Sequence, residues 1–139
     1  MSDTLLQAYL FLGGRADEAI KFYRRTLKAK VEILMRYKES PEPTPMPLPP
    51  GWEKKVMHAS LKIGKTSLML SDGCGPNKKG FYGISLSVSV PTKAEAKRVY
   101  KALSAGGEAD MPLAKTFFSP AFGMLTDRFG ICWMVNVPA

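Results

Sequence analysis

Glu18-Ala19-Ile20-Lys21-Phe22-Tyr23-Arg24 returns further along the chain as Glu95-Ala96-Lys97-Arg98-Val99-Tyr100-Lys101. Glu, Ala, a base, a bulky apolar residue, Tyr and a base recur in register, so one supersecondary unit is stated twice, and such repetition decides a fold before any local pattern does. Working outward, a strand-like segment precedes each helix and several follow it. The chain therefore reads as α+β, two βαβββ modules at about residues 1–72 and 81–139 within a single domain.

In the first copy, Leu5 to Leu12 has strand character and stops at Gly13-Gly14, a break that ends a strand and opens a helix. A helix from about Arg15 to Leu27 carries Ala19, Phe22, Tyr23 and Leu27 on one stripe, the spacing of a face packed on a sheet. Val31 to Tyr37 follows as a strand. From Ser40 to Gly51 alternating prolines remove backbone donors and favour a polyproline II loop. Val56 to Ile63 and Thr66 to Ser71 form a hairpin about Gly64-Lys65. Asp72 to Gly80, all turn formers and charge, marks the internal boundary.

The second copy repeats the order. Gly83 to Val90 alternates as a strand, and Thr92 to Ala105 is the helix, with Thr92 and Glu95 spaced as a capping box and Gly106-Gly107 closing it. Strands at about Glu108 to Lys115, Pro120 to Thr126 and Ile131 to Val137 finish the chain, the last two joined at Asp127-Arg128-Phe129-Gly130.

Bulk properties exclude several classes. The 139 residues are 45% hydrophobic, enough for a genuine core. No apolar run reaches the roughly 18 residues of a membrane span, and Met1-Ser2-Asp3-Thr4 lacks the layout of a secretory signal. A soluble cytoplasmic protein without a membrane partner is expected. Cys74 and Cys132 have no CxxC spacing and read as reduced thiols. The net charge of +8 concentrates on the helices, at Lys21, Arg24, Arg25, Lys28 and Lys30 and at Lys93, Lys97, Arg98 and Lys101. With no nucleic-acid-binding motif beside them, these read as solvated helix faces rather than a nucleic-acid surface.

Strand side chains alternate sides. Ala8, Leu10 and Leu12 oppose Gln7, Tyr9 and Phe11; Met57, Ala59, Leu61 and Ile63 oppose His58, Ser60 and Lys62; Leu68 and Leu70 oppose Ser67, Met69 and Ser71. Ile84, Leu86 and Val88 oppose Gly83, Ser85 and Ser87; Trp133 and Val135 oppose Cys132, Met134 and Asn136. The aliphatic faces suit the helices. The other faces gather Gln7, Tyr9, Phe11, His58, Ser60, Ser67, Met69, Ser85, Ser87, Met134 and Asn136, apolar surface interspersed with hydrogen-bonding groups, as in a small-molecule cavity; the plainer reading is a solvated sheet face. His58, the sole histidine, is either a strand residue making one hydrogen bond or an acid-base catalyst. Gly73-Cys74-Gly75 fails the dinucleotide fingerprint, since Lys78 stands at its third glycine. Phe117, Phe118 and Phe122 form an aromatic cluster read as core packing, with a rim or dimer contact as the alternative.

Met57-His58-Ala59, Ser85-Leu86-Ser87-Val88, Lys93-Ala94-Glu95-Ala96, Met111-Pro112-Leu113 and Phe122-Gly123-Met124, with Thr126-Asp127-Arg128-Phe129-Gly130 leading to Trp133-Met134-Val135-Asn136, together resemble the PhnB-like branch of the glyoxalase / bleomycin-resistance / dioxygenase (vicinal-oxygen-chelate) superfamily. The resemblance implies eight strands curling as a mixed sheet into a cup, helices on its outer face, and a homodimer. A ubiquinone-pathway methyltransferase label also attaches to the family, but nothing in these residues resembles a methyl-donor site. The resemblance places a divalent metal at four positions, which fall on Gln7, on Met69 (or Leu68 if the register slips), on Gly83 and on Met134. Thioethers and glycine supply neither oxygen nor imidazole, so no metal and no cofactor is expected. Three functions stay open: a metal-free binding protein for a small-molecule ligand; a lyase, isomerase or dioxygenase relative using a metal or His58; and a dimeric scaffold with a vestigial cup.

Overall fold

The duplicated pattern folds as two units, one reaching to Lys78 and one running from Lys79 to Ala139. The computed structural model describes residues 3–44 and 46–139. Met1, Ser2 and Pro45, the last within the proline-rich loop, lie outside the described residues. The first unit contains β1 (Tyr9–Phe11), α1 (Ala16–Leu27), β2 (Lys30–Arg36), β3 (Val56–Ile63) and β4 (Thr66–Ser71). The second contains β5 (Ser85–Ser89), α2 (Lys93–Ser104), β6 (Glu108–Ala114), β7 (Phe122–Thr126) and β8 (Cys132–Asn136).

The strands form two four-stranded sheets, ordered β1-β4-β3-β2 and β5-β8-β7-β6. The ladders run within each unit, one mixed four-stranded sheet to each βαβββ module, in keeping with the α+β reading of a duplicated unit. Both sheets are mixed in the same way, since the opening strand lies parallel to the closing strand, β1 on β4 and β5 on β8, while the other pairs are antiparallel. The first strand is shorter than its apolar run predicts. Pairing begins near Ala8, whose carbonyl accepts the Met69 amide at 3.2 Å, and Leu5 and Leu6 stay exposed.

Each helix packs on its own sheet, α1 against β3 and α2 against β6, β7 and β8. Ala16, Ala19, Ile20, Phe22, Tyr23 and Leu27 of α1 are buried, as are Leu10, Ala59, Leu61, Leu68 and Leu70 of its sheet. In the second unit Ala96, Val99 and Leu103 of α2 are buried, with Leu125, Trp133 and Val135. On β3 the covered residue near the strand start is Val56 rather than Met57. The β2–β3 register slips between Met35 and Arg36, so that Arg36 pairs Val56 while Met35 pairs His58, and this bulge turns Val56 inward.

The helix starts are held differently. At α2 the Thr92 hydroxyl accepts the Glu95 amide at 3.1 Å, while the Glu95 carboxylate pairs with Arg98 at 2.6 Å. At α1 Arg15 makes no side-chain cap; the carboxylate of Asp72, just past β4, accepts the amides of Gly14 (2.9 Å) and Ala16 (2.8 Å) on Oδ1 and of Val56 (2.8 Å) on Oδ2. A remote acid thus supplies the anion that a helix N-terminus favours. Arg36 of β2 adds a two-pronged bond to Asp17 in the first turn of α1, at 2.8 and 2.9 Å.

Candidate ligand-binding faces

In the first unit the ladder register places one set of side chains opposite the covered face. Tyr9 pairs Met69 and Phe11 pairs Ser71 across β1–β4; Ser60 pairs Met69 and Lys62 pairs Ser67 across β3–β4; Ile33 pairs Ser60 and Met35 pairs His58 across β2–β3. The open face therefore brings together Tyr9, Phe11, His58, Ser60, Ser67 and Met69. Gln7 falls ahead of β1 in exposed, non-ladder backbone. Tyr9, His58, Ser67 and Met69 are half-buried, Ser60 is buried and Phe11 is exposed.

Tyr9 and His58 are joined directly. The hydroxyl lies 3.0 Å from Nδ1, the rings stack with centroids 5.6 Å apart, and Phe11 tilts against Tyr9 at 5.1 Å. A neutral His58 that accepts the Tyr9 hydroxyl on Nδ1 carries its own proton on Nε2. Beside them the loop after β4 is clasped: the Tyr37 hydroxyl and the Trp52 indole N–H both donate to the Gly73 carbonyl, at 2.7 and 2.8 Å. Burial pushes the Tyr37 phenol up to about 12, with Cys74, Tyr9 and Asp72 adding in the same direction. A raised phenol pKa means the neutral form is favoured by the fold, so this stabilisation is complete below the ordinary value of about 10 and is lost as pH rises towards 12. In an absorbance titration of tyrosinate, Tyr37→Phe is expected to remove a late-ionising group near pH 12; superimposable wild-type and variant curves would refute the assignment.

Pattern reading missed Glu32. The β2–β3 register also slips between Val31, paired with Leu61, and Ile33, paired with Ser60. The residue between them is left over, and its carboxylate reaches over the open face. Oε1 accepts the Ser60 hydroxyl at 2.9 Å and the Ser67 hydroxyl at 2.8 Å. The Ser67 and then the Ser60 hydroxyl hold the Glu32 carboxyl below its usual range, with nearby Lys62 helping.

The second unit repeats the design with different residues. Ser85 pairs Cys132, Ser87 pairs Met134, Ser89 pairs Asn136, and Met124 pairs Met134 from the other side, so Ser85, Ser87, Met134 and Asn136 share one face. The Ser89 hydroxyl donates to Asn136 Oδ1 at 2.6 Å, and the Ser85 hydroxyl to the Cys132 carbonyl at 3.3 Å. Here too the edge strand slips, between Ala109 and Met111, and Asp110 at that bulge accepts the Thr126 hydroxyl at 2.6 Å.

Within each unit the ladder register shows which residues stand at the positions the resemblance names. Because Tyr9 pairs Met69 and Ser87 pairs Met134, the residue corresponding to Gln7 in the second unit is Ser85; Gly83 lies outside the strand with a φ of 71°. An amide, a hydroxyl and two thioethers are a poor donor set for a divalent ion that prefers carboxylate or imidazole. No group of three or more His, Cys, Asp or Glu able to hold a metal occurs among the described residues. The aromatic cluster also departs from expectation: Phe118 touches Phe117 and Phe122 at about 5 Å between centroids, but Phe117 and Phe118 are exposed rather than core. Among the described residues no helix is long and apolar enough to cross a membrane.

Residues 4–136 match the family model described as 3-demethylubiquinone-9 3-methyltransferase. Protein PA1353 from Pseudomonas aeruginosa is 40% identical over 96% of this chain and 98% of its own, with a TM-score of 0.80. A Bacillus cereus protein described as a 3-demethylubiquinone-9 3-methyltransferase, PhnB protein, is 28% identical over 96% of this chain and 99% of its own, with a TM-score of 0.78. A glyoxylase/bleomycin resistance protein/dioxygenase domain from Frankia sp. EAN1pec shares the fold at 18% identity, with a TM-score of 0.70 over the whole of this chain and 94% of that one.

Proposed function

From the premise that the chain belongs to the PhnB-like family of the glyoxalase / bleomycin-resistance superfamily, we propose that it is a cytoplasmic small-molecule-binding protein that works without a chelated metal. Its ligand contacts come from the sheet faces opposite the helices: Tyr9, Phe11, His58, Ser60, Ser67 and Met69 in the first unit, with Gln7 at its margin, and Ser85, Ser87, Met134 and Asn136 in the second. The observation that carries this reading is the ring group of half-buried Tyr9 and His58 with exposed Phe11, on a face that also presents the Met69 thioether and the Ser60 and Ser67 hydroxyls. Such mixtures give apolar contact with a few orienting hydrogen bonds.

The methyltransferase description is not carried into the reading. At the start of α1 the Gly14 and Ala16 amides are bonded to Asp72 and so are not available to a phosphate or carboxylate group of a ligand. The Tyr9–His58 bond favours one alternative, an enzyme in which His58 exchanges a proton with a ligand through Nε2. A homodimer belongs to the proposal as well, because edge strand β2 exposes Val31, Ile33 and Leu34, and a partner chain would cover such an edge. Sedimentation showing monomer alone at micromolar concentration would remove that part.

The test is a melting-temperature screen against aromatic and oxygenated metabolites, run with and without chelator. A ligand at a hundred times its Kd stabilises the native state by about 2.7 kcal/mol, a shift of several degrees that is expected to be indifferent to chelator. Stoichiometric zinc, nickel, iron or manganese in protein purified without added metal, with ligand shifts that vanish on chelation, would overturn the metal-free reading.

A further inference from the structure

The β2 bulge does more than bend an edge strand. Glu32, left over between Val31 and Ile33, reaches across two neighbouring strands, and a single carboxylate oxygen takes both the Ser60 hydroxyl of β3 and the Ser67 hydroxyl of β4. Two donors on one oxygen fix the carboxylate's orientation. They leave Oε2 with no hydrogen-bond partner among the described residues, and none of the ion pairs found there involves Glu32. Lys62 and its ladder partner Lys30 are cations on the same face, and neither forms one of the ion pairs found among the described residues. The second unit shows the arrangement independently: Asp110 occupies the corresponding bulge of β6 and takes the Thr126 hydroxyl at 2.6 Å. The neighbours differ, since the places of Ser60 and Ser67 are taken by Met124 and Cys132 and the hydroxyl comes from Thr126 at the place of Lys62, but a hydroxyl-held carboxylate at the bulge is present in both.

What lies near Glu32 defines what it would meet. Ser67 and Tyr9 are separated by one strand and two residues of register, about 8 Å at ordinary strand spacings, and Tyr9 opens the ring group with Phe11 and His58. An oriented anion a short alkyl chain away from an aromatic surface is complementary to an ammonium tethered to a ring. We propose that the open face of the first unit binds a small aromatic or arylalkyl amine in its protonated form, with Glu32 holding the ammonium and Tyr9 and Phe11 holding the ring. This rests on the small-molecule reading above and narrows it to a ligand class.

The test titrates 2-phenylethylamine, 2-phenylethanol and 3-phenylpropanoate into the wild type and into Glu32→Gln, followed by backbone amide NMR shifts. A charge-assisted bond gives the wild type about a tenfold or greater preference for the amine over the alcohol. In Glu32→Gln that preference is expected to fall to about one, at an unchanged melting temperature because Glu32 is exposed. The proposal is overturned by a preference that survives in Glu32→Gln, by a wild type that binds the alcohol or the acid at least as tightly as the amine, or by shifts that avoid β2, β3 and β4. In those cases binding of the alcohol or acid leaves the broader reading intact. Absence of binding by all three probes removes the amine proposal, and the broader reading falls only if the metabolite screen is blank too.

Discussion

Asp72→Ala is expected to destabilise the protein by about 4–6 kcal/mol, comparable to the whole stability of many domains. The side chain is fully buried and accepts three backbone amides, from Gly14, Ala16 and Val56. Truncation strands all three donors, and each buried donor without a partner costs about 1–3 kcal/mol. The damage is not local, because those amides belong to the start of α1 and the start of β3. Asp72→Asn separates charge from shape: its carbonyl oxygen would still serve Gly14 and Ala16, but its NH2 would face the Val56 amide donor to donor. An intermediate loss of about 2–3 kcal/mol is expected. Chemical denaturation monitored by circular dichroism measures both, and an alanine variant within 1 kcal/mol of wild type would show that water replaces the carboxylate freely.

Gly107→Ala should lose at least about 3 kcal/mol. A methyl group there would run into the Thr126 carbonyl oxygen and stand 2.8 Å from the Asp127 carbonyl carbon. Both obstacles are main chain, which cannot swing aside as a side-chain tip does. The adjacent glycine is needed for a different reason, since Gly106 adopts a left-handed φ of 81° as the chain leaves α2. Gly130→Ala is the control. Its added methyl meets nothing, but its φ is +85°, so the left-handed backbone alone should cost about 1–2 kcal/mol. Urea midpoints order the two, and a smaller loss at Gly107 than at Gly130 would contradict the packing.

The repeat carried most of the architecture because helix stripes and strand alternation are local. The strands Val56–Ile63 and Thr66–Ser71 keep the bounds their pattern predicts, and the α1 stripe of Ala19, Phe22, Tyr23 and Leu27 is buried, with Ala16, Ile20 and Thr26 widening it. Parity arguments also placed Tyr9 with Met69 and Ser87 with Met134 on shared faces. They failed where a single extra residue enters a ladder. Simple alternation puts Val31 and Ile33 on the same side, whereas the register pairs Val31 with covered Leu61 and Ile33 with open-face Ser60; Glu32 was hidden in that slip. Nothing in a strand's composition announces a bulge, which is decided by the partner strand. Asp72 was hidden for a related reason. Its surroundings are turn formers, and only the folded path brings it to a helix start 56 residues earlier. Asp127 is the contrasting case, since its carboxylate takes partners close in sequence, the amides of Phe129 and Ile131 in the β7–β8 turn and the Trp133 indole N–H of β8.

The parallel pairing of β1 with β4 also governs how the molecule is made on the ribosome. Tyr9 has no ladder partner until Met69 has been synthesised, so the earliest strand waits through nearly the whole first unit before it docks. Once residues to Lys78 have emerged, that unit holds every strand its sheet requires. It can close while the remainder is still being translated, in keeping with the tendency of chains to fold from the N-terminus as they emerge. Nascent chains stalled just beyond Lys78 and clear of the exit tunnel should therefore resist protease, and chains stalled before Thr66 should not.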